Sequence, residues 1–210
     1  MSLAQSQLHS SIDEYLQRER EAAERHEWLD GLIYAMAGES AQHSLICANI
    51  TIALGMRLRG TQCAVYSPNM KVYSGRVDSR SGLFSYPDCL VVCGPAQFHD
   101  EHRDVLINPR VIIEVLSPST ERYDRGKKFM RYQQNQSLTD YVLIAQTYTS
   151  IEHYSRQADG RWLYEITNKM DSTVLLESIS CEAPLAEVYD RIEFTEADED
   201  EPFLFTEQGS

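Results

Sequence analysis

Glu114 stands in the middle of an apolar run, Val111-Ile112-Ile113-Glu114-Val115-Leu116, that ends at the turn-forming Ser117-Pro118-Ser119-Thr120. The run is short, β-branched and closed by turn residues, which predicts a buried strand. An ionised side chain in such a strand is strongly unfavourable unless it is paired, protonated or bound to a metal. The fold must therefore bring a partner to Glu114.

Candidate partners lie on both sides. Upstream, Tyr86-Pro87-Asp88 leads into a second apolar run, Cys89-Leu90-Val91-Val92-Cys93, so that Asp88 opens a strand. Downstream, Asp124-Arg125-Gly126-Lys127-Lys128 begins a helix-compatible stretch reaching Gln134, followed by the apolar Tyr141-Val142-Leu143-Ile144. If the strands are neighbours, two acids and a lysine can converge. Two carboxylates hold a hard cation through oxygen, and Mg²⁺ suits such a site, with Mn²⁺ as a possible substitute. In phosphodiester hydrolysis the cation polarises the phosphoryl oxygen and lowers the pKa of water, while positive charge stabilises the transition state.

The succession Tyr86-Pro87-Asp88, Ile113-Glu114-Val115-Leu116-Ser117-Pro118-Ser119-Thr120, Tyr123-Asp124-Arg125-Gly126 with Lys128 and Tyr132, then Tyr141-Val142-Leu143-Ile144 resembles the bacterial "putative restriction endonuclease" family of the PD-(D/E)XK nuclease superfamily. The resemblance runs from about Glu27-Trp28-Leu29-Asp30-Gly31, through His43, to Leu185-Ala186-Glu187-Val188-Tyr189. It implies a restriction-endonuclease-like core with Asp88 and Glu114 as metal ligands and the backbone carbonyl of Val115 as a third. The superfamily's lysine lies two residues after the glutamate, where this chain has Leu116. In the resembled family the lysine comes from the next helix, a position matched by Lys128, with Lys127 as the adjacent alternative. Glu27 matches an early acid of the family that reaches the metal site.

Each residue also has a plainer reading. Asp88 after Pro87 can be a strand-entry residue, Glu114 can pair with Arg110, Arg122 or Arg125, and Lys128 can be a solvated helix lysine. The ordered trio favours chemistry over these readings taken singly. Glu27 precedes a hairpin cue, Asp30-Gly31 between apolar runs. His43 begins a helical stretch from Gln42 to about Arg59, with Leu45, Ile46, Ile50, Ala53, Leu54 and Met56 at helical spacing. It can orient substrate or water, or cap and pack the helix start.

The charge balance pulls the other way. Net charge is −13, whereas nucleic-acid binders usually present a basic face. Part of the excess is local, because residues 193–210 hold seven acids and no Lys or Arg, which marks an acidic and mobile tail. Arg122, Arg125, Lys127, Lys128 and Arg131 cluster beside the proposed site and could focus positive charge on a cleft. The five cysteines, at 47, 63, 89, 93 and 181, form an odd set without CxxC spacing. Reduced, packed thiols are the expectation, and a structural zinc site is not. No apolar run approaches the roughly 20 residues of a membrane span. The first 25 residues lack the apolar centre of a signal peptide, so a cytoplasmic protein is expected.

The length of 210 residues fits one domain, residues 1–192, plus the tail at 193–210. Expected elements are a helix from about Ser11 to Arg25, a hairpin from Glu27 to Met36 and the helix Gln42 to Arg59. Strands follow at Gln62 to Tyr73, Phe84 to Cys93 and Val111 to Leu116, then a helix from Glu121 to Gln134. The last strands are Asp140 to Ala145, Ser150 to Arg156, Trp162 to Thr167 and Thr173 to Leu176. This order gives an α/β (α+β) restriction-endonuclease-like core, a central mixed β-sheet flanked by helices with an antiparallel β extension whose exposed edge suits a homodimer. The expected activity is a Mg²⁺-dependent DNA endonuclease. The alternatives are a catalytically silent interaction protein on the same scaffold and a hydrolase of another phosphate ester.

Overall fold

The computed structural model describes residues 5–6 as backbone, and residues 9–36, 38–75 and 81–194 in full. The acidic segment beyond residue 194, most of the expected tail, lies outside the described residues. A short strand β1 (Gln5–Ser6) precedes helix α1 (Ile12–Glu21). A reciprocal capping box starts that helix, with the Ser11 side chain accepting from the Glu14 N–H and the Glu14 carboxylate accepting from the Ser11 N–H at 2.8 Å. The helix stops at Glu21 rather than running to Arg25, because Ala22 is already extended and leads into the next strand.

The expected hairpin forms from β2 (His26–Leu29) and β3 (Leu32–Ala35). Its two-residue turn places Asp30 and Gly31 at φ of 50° and 93°, the pair of positive values that a twisted hairpin demands and that Asp-Gly supplies. Helix α2 (Ala41–Arg57) follows, its first turn capped by the Ser40 hydroxyl, which accepts from the His43 N–H at 3.1 Å.

Two of the expected strands are each split in two. The segment expected as one strand from Gln62 to Tyr73 is β4 (Cys63–Tyr66) and β5 (Lys71–Gly75), with a turn at Ser67–Met70 between them. The segment from Phe84 to Cys93 is β6 (Gly82–Ser85) and β7 (Cys89–Cys93), interrupted at Tyr86-Pro87-Asp88. Proline has no N–H for a ladder and restricts the residue before it. At both breaks the chain changes sheets.

The remaining elements are β8 (Val105–Leu106), β9 (Val111–Leu116), α3 (Glu121–Tyr123), a π turn (Asp124–Lys128), α4 (Phe129–Tyr132), β10 (Asp140–Ala145), β11 (Ile151–Arg156), β12 (Trp162–Thr167), β13 (Thr173–Leu176), a 3₁₀ turn (Glu177–Ile179), β14 (Cys181–Pro184) and α5 (Leu185–Val188). Among the described residues the central mixed β structure comprises two six-stranded sheets, ordered β1-β3-β2-β6-β5-β8 and β12-β11-β10-β9-β7-β4, with β13 and β14 as a separate ribbon. The architecture is mixed α+β, with helices flanking the sheets. The antiparallel extension is present as β11 and β12.

The second sheet is the backbone of the molecule. β9 pairs parallel with β10 through the crossover made by α3, the π turn and α4, and antiparallel with β7. One face, with Val91, Val111, Ile113 and Val115, packs on Ile46, Ile50 and Leu54 of α2. The other, with Leu90, Ile112, Leu116 and Leu143, packs on Phe129 and Tyr132 and on Val72 and Leu83 of the first sheet. Strand alternation thus divides β9 between two cores.

A disulfide joins Cys63 to Cys93, so the expectation of five reduced thiols is corrected. These residues face each other in the antiparallel β4–β7 ladder, with Cα atoms 3.9 Å apart. Their separation in sequence gives no hint of that register. Cys47, Cys89 and Cys181 are free and buried.

Candidate active site

The register of β7 against β9 pairs Cys89 with Ile113, which carries Asp88 alongside Glu114 where the ladder stops. The Asp88 side chain takes over from the ladder there, with Oδ2 accepting from the Val115 N–H at 2.7 Å. Its other oxygen, Oδ1, lies 3.0 Å from Nε2 of His43, in the first turn of α2. Burial works against a charged His43 ring, but the hydrogen bond to Asp88 and the charges of Asp88 and Glu39 outweigh it and raise the ring above its ordinary value.

Glu114 is buried, on the face of β9 that meets the crossover helix. Its Oε1 accepts from the Tyr132 hydroxyl at 2.6 Å and lies 3.0 Å from Nζ of Lys128. The same ammonium is 3.0 Å from Glu27 Oε1 on β2 and 3.5 Å from Asp124 Oδ1. None of the arginines considered as partners for Glu114 fills that role. Lys128 points inward, whereas Lys127 is exposed.

These contacts link Asp88, Glu114, Lys128, Glu27 and His43 into one continuous group, with Val115 supplying a backbone N–H. Asp124 belongs to it as well. In the sequence it reads as an ordinary acid at a helix start, and its spacing of four from Lys128 is the one cue that pairs the two across a helical turn. Four acids face one lysine and one histidine. Burial pushes the Glu27, Glu114 and Asp124 carboxyls up; neighbouring acids add to this, and the Lys128 charge opposes it. Burial also disfavours the Lys128 charge, but Glu114 and Glu27 more than offset it and hold the amine protonated. An excess of buried oxygen donors over positive charge is the composition of a hard-cation site.

Beside this group, one ligand atom each from Glu39, His43 and Cys47 lie within 4.8 Å of one another, a possible metal-binding cluster.

The basic cluster expected to draw a polyanion is largely spent on internal pairs. Arg125 bonds Glu121 at 2.6 Å and Glu152 at 2.8 Å, and Arg131 pairs with Asp30. Arg122 and Lys127 are solvent-exposed. Among the described residues no helix is long and apolar enough to cross a membrane.

Two mixed sheets flanked by helices, with buried acids and a lysine gathered beside one strand end, define a restriction-endonuclease-like architecture. The crystal structure of an Anabaena variabilis protein described as "a putative nuclease belonging to DUF820" has this fold, at a TM-score of 0.70 and 16% identity over 86% of this chain and 97% of that one. The "Putative restriction endonuclease" (Uma2) family model matches residues 12–186, and the chain belongs to that family. Two Synechocystis proteins are similar over most of their length. "Uncharacterized protein slr1290" is 35% identical over 164 residues, 77% of this chain and 83% of its own. "Uncharacterized protein sll1609" is 33% identical over 150 residues, 71% of this chain and 82% of its own.

Proposed function

We propose that this protein is a divalent-metal-dependent endonuclease that hydrolyses phosphodiester bonds in DNA. The observation that carries the reading is the gathering of three carboxylates around one buried ammonium, with a fourth, Asp88, beside Glu114 on the neighbouring strand, in a chain of a nuclease family. The donors fit Mg²⁺ or Mn²⁺: they are carboxylate oxygens, held in excess of the positive charge around them. In this reading Asp88 and Glu114 hold the cation, together with the carbonyl of Val115. When bound, the cation supplies Lewis-acid polarisation of the phosphoryl oxygen and makes water more acidic.

The chain's own groups do the rest. The Lys128 ammonium offers positive charge, and at Nζ a proton donor, to the phosphoryl oxygens. Glu27 and Asp124 keep that amine protonated and aimed at Glu114. Tyr132 fixes one oxygen of Glu114 by donating to it, and His43 with the Val115 N–H fixes both oxygens of Asp88. A carboxylate whose orientation is set in advance loses little freedom on ligation. In the same reading the enzyme works as a homodimer. Strand β12 is a sheet edge with Leu163, Tyr164 and Ile166 about half exposed, and light scattering reads the assembly state.

Supercoiled and linear DNA, each with Mg²⁺, Mn²⁺ or a chelator, test the activity. Cleavage is expected only with the cation, and Glu114→Gln is expected to abolish it while circular dichroism stays unchanged. Cleavage by Glu114→Gln at the parental rate overturns the reading. A catalytically silent scaffold is the second reading, favoured by the internal pairing of Arg125 and Arg131 and by Leu116, buried where the superfamily has its lysine. Calorimetry separates the two, because that scaffold has no reason to bind Mg²⁺ or Mn²⁺ in a way that depends on Asp88 and Glu114.

A further inference from the structure

Glu39, His43 and Cys47 are spaced four apart; Glu39 precedes the Ser40 N-cap of α2, and His43 and Cys47 lie in its first two turns. Residues four apart on a helix stand one above another on the same face. That stacking sets His43 beside Cys47, and Glu39 joins them from ahead of the helix, so that one atom each of a carboxylate, an imidazole and a thiol lie within 4.8 Å of one another. His43 Nε2 is 3.9 Å from Glu39 Oε2 and 3.0 Å from Asp88 Oδ1, so Asp88 meets the imidazole at the margin of the trio, from just ahead of β7. Three donor types gather there, and a second carboxylate, Asp88, is bonded to the imidazole.

We propose that Glu39, His43, Cys47 and Asp88 form a second cation site, built for a borderline-soft transition ion such as Zn²⁺ rather than for Mg²⁺. The donor chemistry sets the preference. A thiolate and an imidazole select Zn²⁺ and its neighbours, whereas Mg²⁺ takes oxygen ligands alone. Four donors meet the coordination number of zinc in structural sites. On binding, the Cys47 S–H bond breaks and an S–Zn bond forms, and the proton passes to the buffer. The Nε2 proton that His43 shares with Asp88 also passes to the buffer, and the freed lone pair becomes a ligand in place of that contact. Because Asp88 belongs to both sites, Zn²⁺ and Mg²⁺ compete for its oxygens, and zinc is expected to weaken magnesium binding.

The plainer account is that Cys47 fills the core under α2 and His43 is an ion-pair partner of Asp88. Cobalt substitution decides between them. Co²⁺ added to the full-length protein is expected to give an intense near-ultraviolet sulfur-to-cobalt charge-transfer band, which Zn²⁺ abolishes by displacement. Cys47→Ser should remove the band, and Glu39→Gln, at an exposed position that the fold tolerates, should weaken zinc binding about tenfold or more by calorimetry. Glu114→Gln should leave the band in place, which separates this site from the proposed Mg²⁺ site and makes its test independent of nuclease activity. A parental protein without the band, a Cys47→Ser protein that keeps it, or a Glu39→Gln protein with parental zinc affinity would overturn the proposal.

Discussion

Replacing Lys128 by methionine removes a charge but keeps most of the volume, and the structure sets the expected cost. Nζ sits 3.0 Å from a carboxylate oxygen of Glu27 and 3.0 Å from one of Glu114. At an effective dielectric constant of about 20, each contact has a gross Coulomb energy on the order of 5 kcal/mol. Burying the ammonium offsets most of that, so the net effect of the intact cluster on stability is small. Removing only the cation is different, because the acids stay buried with nothing to balance them. The expected loss is about 3–5 kcal/mol of unfolding free energy. Urea denaturation followed by the fluorescence of Trp28, a core residue, measures it, with chelator present so that no metal replaces the ammonium. A cycle through Glu114→Gln supplies the control. With one acid already neutral, Lys128→Met should cost at least about 1 kcal/mol less than in the parent. A Lys128→Met protein within about 1 kcal/mol of the parent, the range of an exposed pair, would refute the electrostatic account. So would an equal cost in both backgrounds.

Asp140 offers a test with a defined pH sign. Burial pushes its carboxyl up, but hydrogen bonds from His153, Ser178 and Thr139 outweigh this and hold it below the ordinary range. A depressed folded value stabilises the protein fully above the unfolded value of about 3.9 and loses that effect as pH falls through the folded one. Asp140→Asn should therefore cost about 1–3 kcal/mol near neutrality, with the gap to the parent narrowing below about pH 4 in urea melts. Thiol titration of the unreduced, denatured chain should find three reactive cysteines, rising to five after reduction; five before reduction would remove the Cys63–Cys93 bond.

The parts of the fold that were readable from sequence are those where a local pattern has one physical outcome. Asp30-Gly31 could only be a tight hairpin turn, and a β-branched run around Glu114 could only be a buried strand. A strand of that kind needs a countercharge; the sequence offers Arg110, Arg122 and Arg125 for it and Lys128 only as the lysine of the resembled family, and the fold uses Lys128. The breaks at Ser67–Met70 and Tyr86–Asp88 each carry a proline, Pro68 and Pro87, but apolar residues continue on both sides, so the cue marks an interruption without showing that the chain changes sheets there. Asp124 is hidden for another reason: acids are common in first helical turns, and a spacing of four from Lys128 does not by itself tell a buried pair from an exposed one. The Cys63–Cys93 bond depends on a ladder register that no single strand encodes. The spending of Arg125 and Arg131 on Glu152 and Asp30 likewise follows from long-range packing.

Glu27 belongs to one sheet and Glu114 to the other, and among the described residues no ladder joins the two sheets. One ammonium, carried by a short crossover, rivets them. The side chain proposed for chemistry is thus also a fastener of the architecture, and any force that pries the sheets apart dismantles the reaction centre in the same movement.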